Sequence, residues 1–483
     1  MMVLKRGRFF SLRRGVLLGL WLALCGCAGS PTGSPSSRAL APQDLAPGAA
    51  VAQAMPIPWP TDHWWEAYHD PQLNALITQT LASSPTLRAA QDRALLAQRQ
   101  ADVAHAGLLP NSALDVSVQR DRFTALQFIP PPWGGSTYWN NTAQISLNYD
   151  LDLWGRQEKI WQAALDETQA ALARSQQARL ELVTAVVRNY VQLALVTHLQ
   201  ATAQERLGQL TQRAQLARRG YAAGIETGQN ANELETALPG AQAQLETLQT
   251  RKTVLQHQIA LLSGAAPASG ESLQDPQLAL EAVPGLPTRL PAHLVGRRPD
   301  LVALRWAVEA SRSRIASARA AFYPDINLMA FVGYQAIGFG QWFSNAGSMA
   351  GFGPALDLPL FDGGQRQSLF AASQEAYDLE VETWNQAVLS ALQEVSEQLL
   401  WLQSNAQQQV LQEQALAQAS ATAQMAERRF QAGLGDLPPV ITARLQRLQQ
   451  QEALLHIQAA RQDSYAGLVR ALGGGILDER AEH

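Results

Sequence analysis

The chain has 483 residues and a formal net charge of −4, with 16% charged and 47% hydrophobic residues. That near balance, with no basic run beyond the N-terminal one, argues against nucleic acid as a partner. Past the N-terminus no run of about 18 apolar residues stands out, which argues against a helical membrane span and leaves a barrel as the way to cross one.

Lys5, Arg6, Arg8, Arg13 and Arg14 precede an apolar stretch at 15–24, closed by Leu24-Cys25-Gly26-Cys27. This reads as a secretory signal over residues 1–26. Gly26-Cys27 resembles a bacterial lipobox, which implies cleavage before Cys27 and acylation of its thiol. Ala28, rather than Asp, then favours the outer membrane. Cys25 and Cys27 are the two cysteines, so the mature chain has no internal disulfide to form. Residues 27–62, rich in Pro, Ser, Gly and Ala, read as an acylated tether. Trp59, Trp64, Trp65 and Tyr68 form an aromatic entry segment. His63, Glu66, His69 and Asp70 lack the spacing of a metal-binding helix.

A first repeat is expected over 63–264. A short helix passes through Leu73, Leu76 and Ile77, and another spans 84–109 and stops at Pro110. A strand follows, with Leu114, Val116 and Val118 alternating against polar neighbours, and then a long loop over 123–140. Strict alternation resumes at 143–153, where Ala143, Ile145, Leu147, Tyr149, Leu151 and Leu153 share one face. Such a strand keeps one face apolar and the other in water. From 156 to 219 the sequence is free of Pro and dominated by helix formers. At about 1.5 Å per residue that helix is roughly 96 Å long. It reverses at Tyr221-Ala222-Ala223-Gly224. A returning rod over 226–262 carries Leu234, Leu238, Ala241, Leu245, Leu248, Lys252, Leu255, Ile259 and Leu262 at alternating four- and three-residue spacing, a coiled-coil seam. Pro239 is expected to kink it. Residues 265–292 read as a linker.

The pattern then repeats over 293–475. Pro85 and Pro110 match Pro299 and Pro324 at an offset of 214. A strand runs through Ile326, Leu328, Ala330, Val332 and Tyr334, and a fourth through Phe352, Leu356, Leu358 and Leu360. A second long helix covers 365–431 and turns at Phe430-Gln431-Ala432-Gly433, now at an offset of 209. The last rod reaches Leu472, with Leu434, Ile441, Leu448 and Leu455 seven apart and Pro438-Pro439 near its start, where proline is tolerated. Residues 476–483 form a tail.

Four strands cannot close a membrane barrel, for which about eight are needed. Open edges in lipid leave backbone groups unpaired, so several copies must share one barrel. The fold class is therefore mainly α with a membrane β-barrel contribution, built from a tandem-duplicated protomer.

The sequence resembles the TolC-like outer-membrane factors, in particular the NodT-type lipoproteins of RND multidrug efflux systems. Carriers of the resemblance are Leu24-Cys25-Gly26-Cys27, Trp64-Trp65 with Asp70-Pro71, Leu151-Asp152-Leu153-Trp154-Gly155-Arg156, Arg297-Arg298-Pro299-Asp300-Leu301, Phe322-Tyr323-Pro324, Phe361-Asp362-Gly363-Gly364 and Arg429-Phe430-Gln431-Ala432-Gly433. Arg305 and Pro438-Pro439 depart from the family pattern. The resemblance implies a homotrimer with a twelve-stranded barrel and a periplasmic helical barrel. It also implies a periplasmic adaptor protein and an inner-membrane RND-type pump as partners.

No catalytic motif is present, so an enzyme is not expected and no cofactor is required. Asp150 and Asp152 are expected on the wet barrel face. The tips, Tyr221, Ala222, Ala223, Gly224, Phe430, Gln431, Ala432 and Gly433, are small enough in part for close approach by partner helices, and the resemblance makes them adaptor-docking sites. Glu427, Arg428 and Arg429 are the candidate periplasmic gate, since one side chain becomes a ring in a symmetric tube. A passive exit duct is thus expected. The rival is a lipid-anchored coiled-coil structural or adhesin protein.

Overall fold

The computed structural model describes residues 33–40, 61–126, 130–281, 297–358 and 360–475. The signal with Cys27, most of the tether, the end of the linker and the 476–483 tail lie outside the described residues. A 3₁₀ turn at Trp64–Tyr68 leads into α1 (Pro71–Ser83), α2 (Pro85–Ala106), β1 (Asn111–Arg122), β2 (Thr137–Asp150), α3 (Arg156–Ala222) and α4 (Gly228–Leu262). After the short α5 (Pro267–Gly270) come α6 (Pro299–Ala320), β3 (Asp325–Ile337), β4 (Ser348–Asp357), α7 (Gln365–Gln431) and α8 (Leu437–Ala471). Helix lengths repeat to the residue: 22 for α2 and α6, 67 for α3 and α7, 35 for α4 and α8.

The helices start where side chains can hold their free N–H groups. The Asp152 carboxylate accepts from Gln157 N and Glu158 N at 2.9 and 2.8 Å, ahead of α3. Asp362 does the same for Gly364 N and Arg366 N ahead of α7. Along α4, the nine seam positions from Leu234 to Leu262 are each buried or half-buried, while most residues between 232 and 250 that lie off the seam face solvent. α4 runs unbroken through Pro239.

Three boundaries differ from expectation. β2 starts at Thr137, not 143, so the preceding loop ends at Ser136 rather than Asn140. Main-chain pairing of Thr137 to Asn148 with β1 continues past the polar Asn140-Asn141, because ladder bonds do not depend on side-chain polarity. β4 ends at Asp357, leaving Leu358 and Leu360 outside it. Its partner strand begins at Asp325, just after Pro324, which has no N–H to give. The first part of the expected linker is packed: Leu278 and Leu280 are buried, and Glu271 lies 2.9 Å from His257 of α4.

The chain divides into two compact units, and each draws on both repeats. One contains 94–170 and 304–383, hence the whole sheet. Its helical core includes Ala163, Ala170, Ala310, Phe370 and Val381. There, residues 33–39 run along α7, with Ser36 N and Ser37 N donating to the Asp378 carboxylate at 3.0–3.1 Å. So this part of the expected tether is bound rather than loose.

The other unit contains 40–93, 171–303 and 384–483. α3 includes one stretch apolar enough to cross a membrane by composition, but 67% of it is buried. Val183, Val187, Tyr190 and Leu193 of that helix are buried, as are Ile259, Leu301, Leu399 and Leu468 in the same unit. The stretch is thus a helix core.

Two polar residues tie this unit together. Buried Asp70 accepts from Gln72 N, Leu73 N, Tyr190 Oη and Gln277 N at 2.8–3.2 Å. Asp70→Ala removes a cap and the acceptor for the Tyr190 hydroxyl proton, which leaves that hydroxyl only the bond from Gln72 Nε2, so it is expected to cost about 2–3 kcal/mol. Chemical denaturation of the detergent-solubilised protein measures this; a loss below about 0.5 kcal/mol contradicts the account. Arg298, 5% exposed, donates to both Asp300 oxygens at 3.0 and 2.6 Å, to Glu394 at 3.0 Å and to Ala471 O at 3.1 Å.

Candidate functional site

The sheet is the first functional element. Its order is β1-β2-β3-β4, all antiparallel. Alternation along a strand and register across strands together define two faces. One face carries the rungs Leu114–Ile145–Val332–Ala350 and Val116–Ala143–Tyr334–Ser348. The other carries Asp115–Gln144–Gly333–Met349 between them. The apolar face is bare, with Leu114 69% and Phe352 93% exposed. So large an exposed apolar surface needs a covering of lipid or protein. β1 and β4 are each paired on one side among the described residues, so both outer edges keep open N–H and C=O groups.

Asp150 ends β2 and pairs with Asn327 on the polar face. Asp152 does not share that strand face. It lies beyond the strand with φ of +41°, its carboxylate committed to the start of α3. The two acids are not a matched pair because the strand stops between them.

The hairpin tips are the second element. At the first, Ile225 N–H donates to Gly220 O at 2.8 Å and Gly224 N–H to Tyr221 O at 3.0 Å. At the second, Leu434 N–H donates to Arg429 O at 2.8 Å and Gly433 N–H to Phe430 O at 2.9 Å. Both are the double-bonded helix ending that requires a left-handed residue, supplied by Gly224 at φ +74° and Gly433 at +71°. Tyr221, Ala222, Ala223, Phe430, Gln431 and Ala432 are all exposed around these turns. Ile225 and Leu434 follow the glycines and project apolar side chains into solvent. Pro438 and Pro439 sit in the first turn of α8, where no N–H is needed.

Just behind each tip the two helices are clasped by one ion pair. Arg218 of α3 meets Glu235 of α4 at 3.0 Å, and Glu427 of α7 meets Arg444 of α8 at 2.7 Å. Both steps, 218 to 427 and 235 to 444, equal 209 residues, so the duplicated positions hold the same clasp with its charges exchanged. Glu427 was readable as a gate candidate, but its partner was not. The seventeen-residue spacing shared by the two pairs was the available signal. Arg428 and Arg429 are exposed beside it. Among the described residues no cluster of His, Cys, Asp and Glu is arranged to hold a metal.

A sheet with one apolar and one polar face, joined to long helices that end in paired hairpins, defines a channel protein of the barrel-plus-helical-tube class. The model of the outer membrane efflux protein family matches residues 76–265 and again 290–474, once per repeat. The multidrug resistance outer membrane protein MdtP of Shigella flexneri is 32% identical over 95% of both chains. The fusaric acid resistance protein FusA of Burkholderia cepacia is 36% identical over 74% of this chain and 68% of its own length. The outer membrane protein VceC of Vibrio cholerae aligns in structure with a TM-score of 0.78 at 30% identity, covering 86% of this chain and all of VceC. The Campylobacter jejuni outer membrane channel CmeC, at 16% identity, shares the fold with a TM-score of 0.83 over 93% of this chain and 95% of its own. This chain belongs to the outer membrane efflux protein family, and it is an outer-membrane efflux channel.

Proposed function

We propose that the protein is the passive exit duct of a tripartite pump. Three copies complete one barrel, and the hairpin tips receive a periplasmic adaptor that links them to an inner-membrane RND-type pump. The duct needs no cofactor and performs no catalysis. The observation that carries this reading is the four-stranded sheet with two open edges and a bare apolar face. Edge backbone groups in lipid are costly unless paired, and three sets of four strands give twelve, which falls within the range of strand numbers that close outer-membrane barrels. The names of MdtP and FusA support toxic small molecules as cargo.

Acylation of Cys27 fits the docked N-terminal segment. Asp378 lies 13 residues along α7 from Gln365, or about 20 Å. The nine residues from Cys27 to Ser36 span up to about 30 Å when extended. An acyl chain on Cys27 therefore reaches the level of the strand ends. The spacer or adhesin reading leaves the four strands without a use.

Edge cross-linking tests the assembly. Cysteine pairs, one on β1 and one on β4 of the same chain, for example Val116→Cys with Ala350→Cys, are expected to give covalent dimers and trimers in outer membranes and nothing larger. A ladder beyond three chains, or monomer alone across the scan, refutes the shared barrel.

A further inference from the structure

We propose that the end of the sheet away from the helices binds the phosphate groups of outer-leaflet lipid, through Arg120 and Arg122. The proposal rests on the reading that the apolar face meets lipid. Arg120 pairs across the ladder with Trp139, and Arg122 with Thr137. Counting along β1 puts both arginines on the face of Leu114, Val116 and Val118, and both are exposed. The strand carboxylates Asp115, Asp121, Asp150, Asp325 and Asp357 all fall on the opposite face. Among the described residues neither arginine has an acidic partner. This segregation leaves two uncompensated positive charges on the apolar side.

Their height explains how they are tolerated and what they meet. At about 3.4 Å per residue and a tilt near 40°, Arg120 and Arg122 stand roughly 23 and 29 Å above Asn111. The apolar band of outer-membrane barrels is about 25 Å tall, so the guanidiniums emerge where the headgroups begin. An arginine at mid-depth is strongly unfavourable, whereas at the interface it is nearly neutral. The Arg120 guanidinium lies 5.7 Å over the Trp139 ring. Trp139 is 5.8 Å from Phe339, and Tyr334 is 5.6 Å from Phe343. Phe339 and Phe343 are exposed. Such a patch presents rings to acyl chains and a planar donor fork to phosphate, the geometry for which guanidinium is suited.

Binding to the purified full-length protein in detergent, with bisphosphorylated lipid A, the same lipid with its phosphates removed, and inorganic phosphate as probes, tests this. The intact protein is expected to bind bisphosphorylated lipid A on the order of 30-fold more tightly than R120Q/R122Q does. Dephosphorylated lipid A should bind both weakly, and inorganic phosphate should not compete. Equal binding of the two lipids, unchanged binding by the variant, or full competition by inorganic phosphate overturns the proposal. Conductance of both proteins in planar bilayers separates the underlying reading. If the unsubstituted protein forms no pore, the membrane-spanning face itself is wrong; if both conduct, the lipid result stands alone.

Discussion

Replacing Arg298 by Ala is expected to destabilise the helical unit by about 3–5 kcal/mol, the scale for breaking one side of a buried ion pair. The guanidinium sits where the start of α6, the middle of α7 and the end of α8 meet, and it serves Asp300, Glu394 and the Ala471 carbonyl together. Its removal takes the guanidinium from the Asp300 carboxylate and the buried Ala471 carbonyl, while Glu394 keeps Arg470 at 3.4 Å. Thermal unfolding of the detergent-solubilised protein reads the loss, and Arg298→Lys should recover part of it, keeping the charge without the two-pronged contact. A pH series adds a second signature. Burial pushes the Asp300 carboxyl up, but the Arg298 hydrogen bonds and charge, with the Leu301 N–H, outweigh that and hold it below its usual range. A lowered carboxyl contributes stability above its unfolded value, near 3.9, and loses it as the pH falls through the folded value. Below about pH 4 the unsubstituted protein should therefore weaken more steeply than R298A. A parallel decline in the two proteins would deny Arg298 this role.

Replacing Glu427 by Arg is expected to raise the frequency of channel openings in planar bilayers by about 5–30-fold. The clasp with Arg444 is partly exposed, so the attraction is worth at most about 1 kcal/mol. Turning it into a repulsion doubles the change to about 1–2 kcal/mol, which corresponds to that factor. Arg444→Glu should act alike. The exchanged pair, E427R/R444E, should return to the original behaviour, because the first hairpin already carries a clasp of that polarity at Arg218 and Glu235. Additive effects in the double variant would show that the charges act separately rather than on each other.

Long elements were legible and their meeting points were not. The bounds of α7 and the nine-residue seam of α4 follow from composition and period, which are local properties. The duplication supplied a second reading of each element. What a single sequence leaves open depends on residues far apart. Asp152 belonged to the alternating pattern by residue type, yet a left-handed turn withdraws it from the sheet to start α3. Leu358 and Leu360 continued the apolar alternation but lacked a partner strand. Arg298 stood in a recognisable motif, though nothing local named Glu394 or Ala471 as its contacts. The docking of residues 33–40 on α7 was hidden by a composition typical of linkers.

From the start of α2 to the end of α4, the first repeat differs in length from its counterpart at one place. Their offset is 214 from Pro85 to Pro110 and 209 from the start of α3 to the end of α4, and the change falls within the strands and the loops that join them. Each long helix, by contrast, has a twin of identical length. Insertions and deletions are therefore free to accumulate at the outer loops, whereas a heptad gained by α3 alone would make one hairpin overshoot the other by about 10 Å. The length of the helical hairpins is a dimension that the two halves must change together.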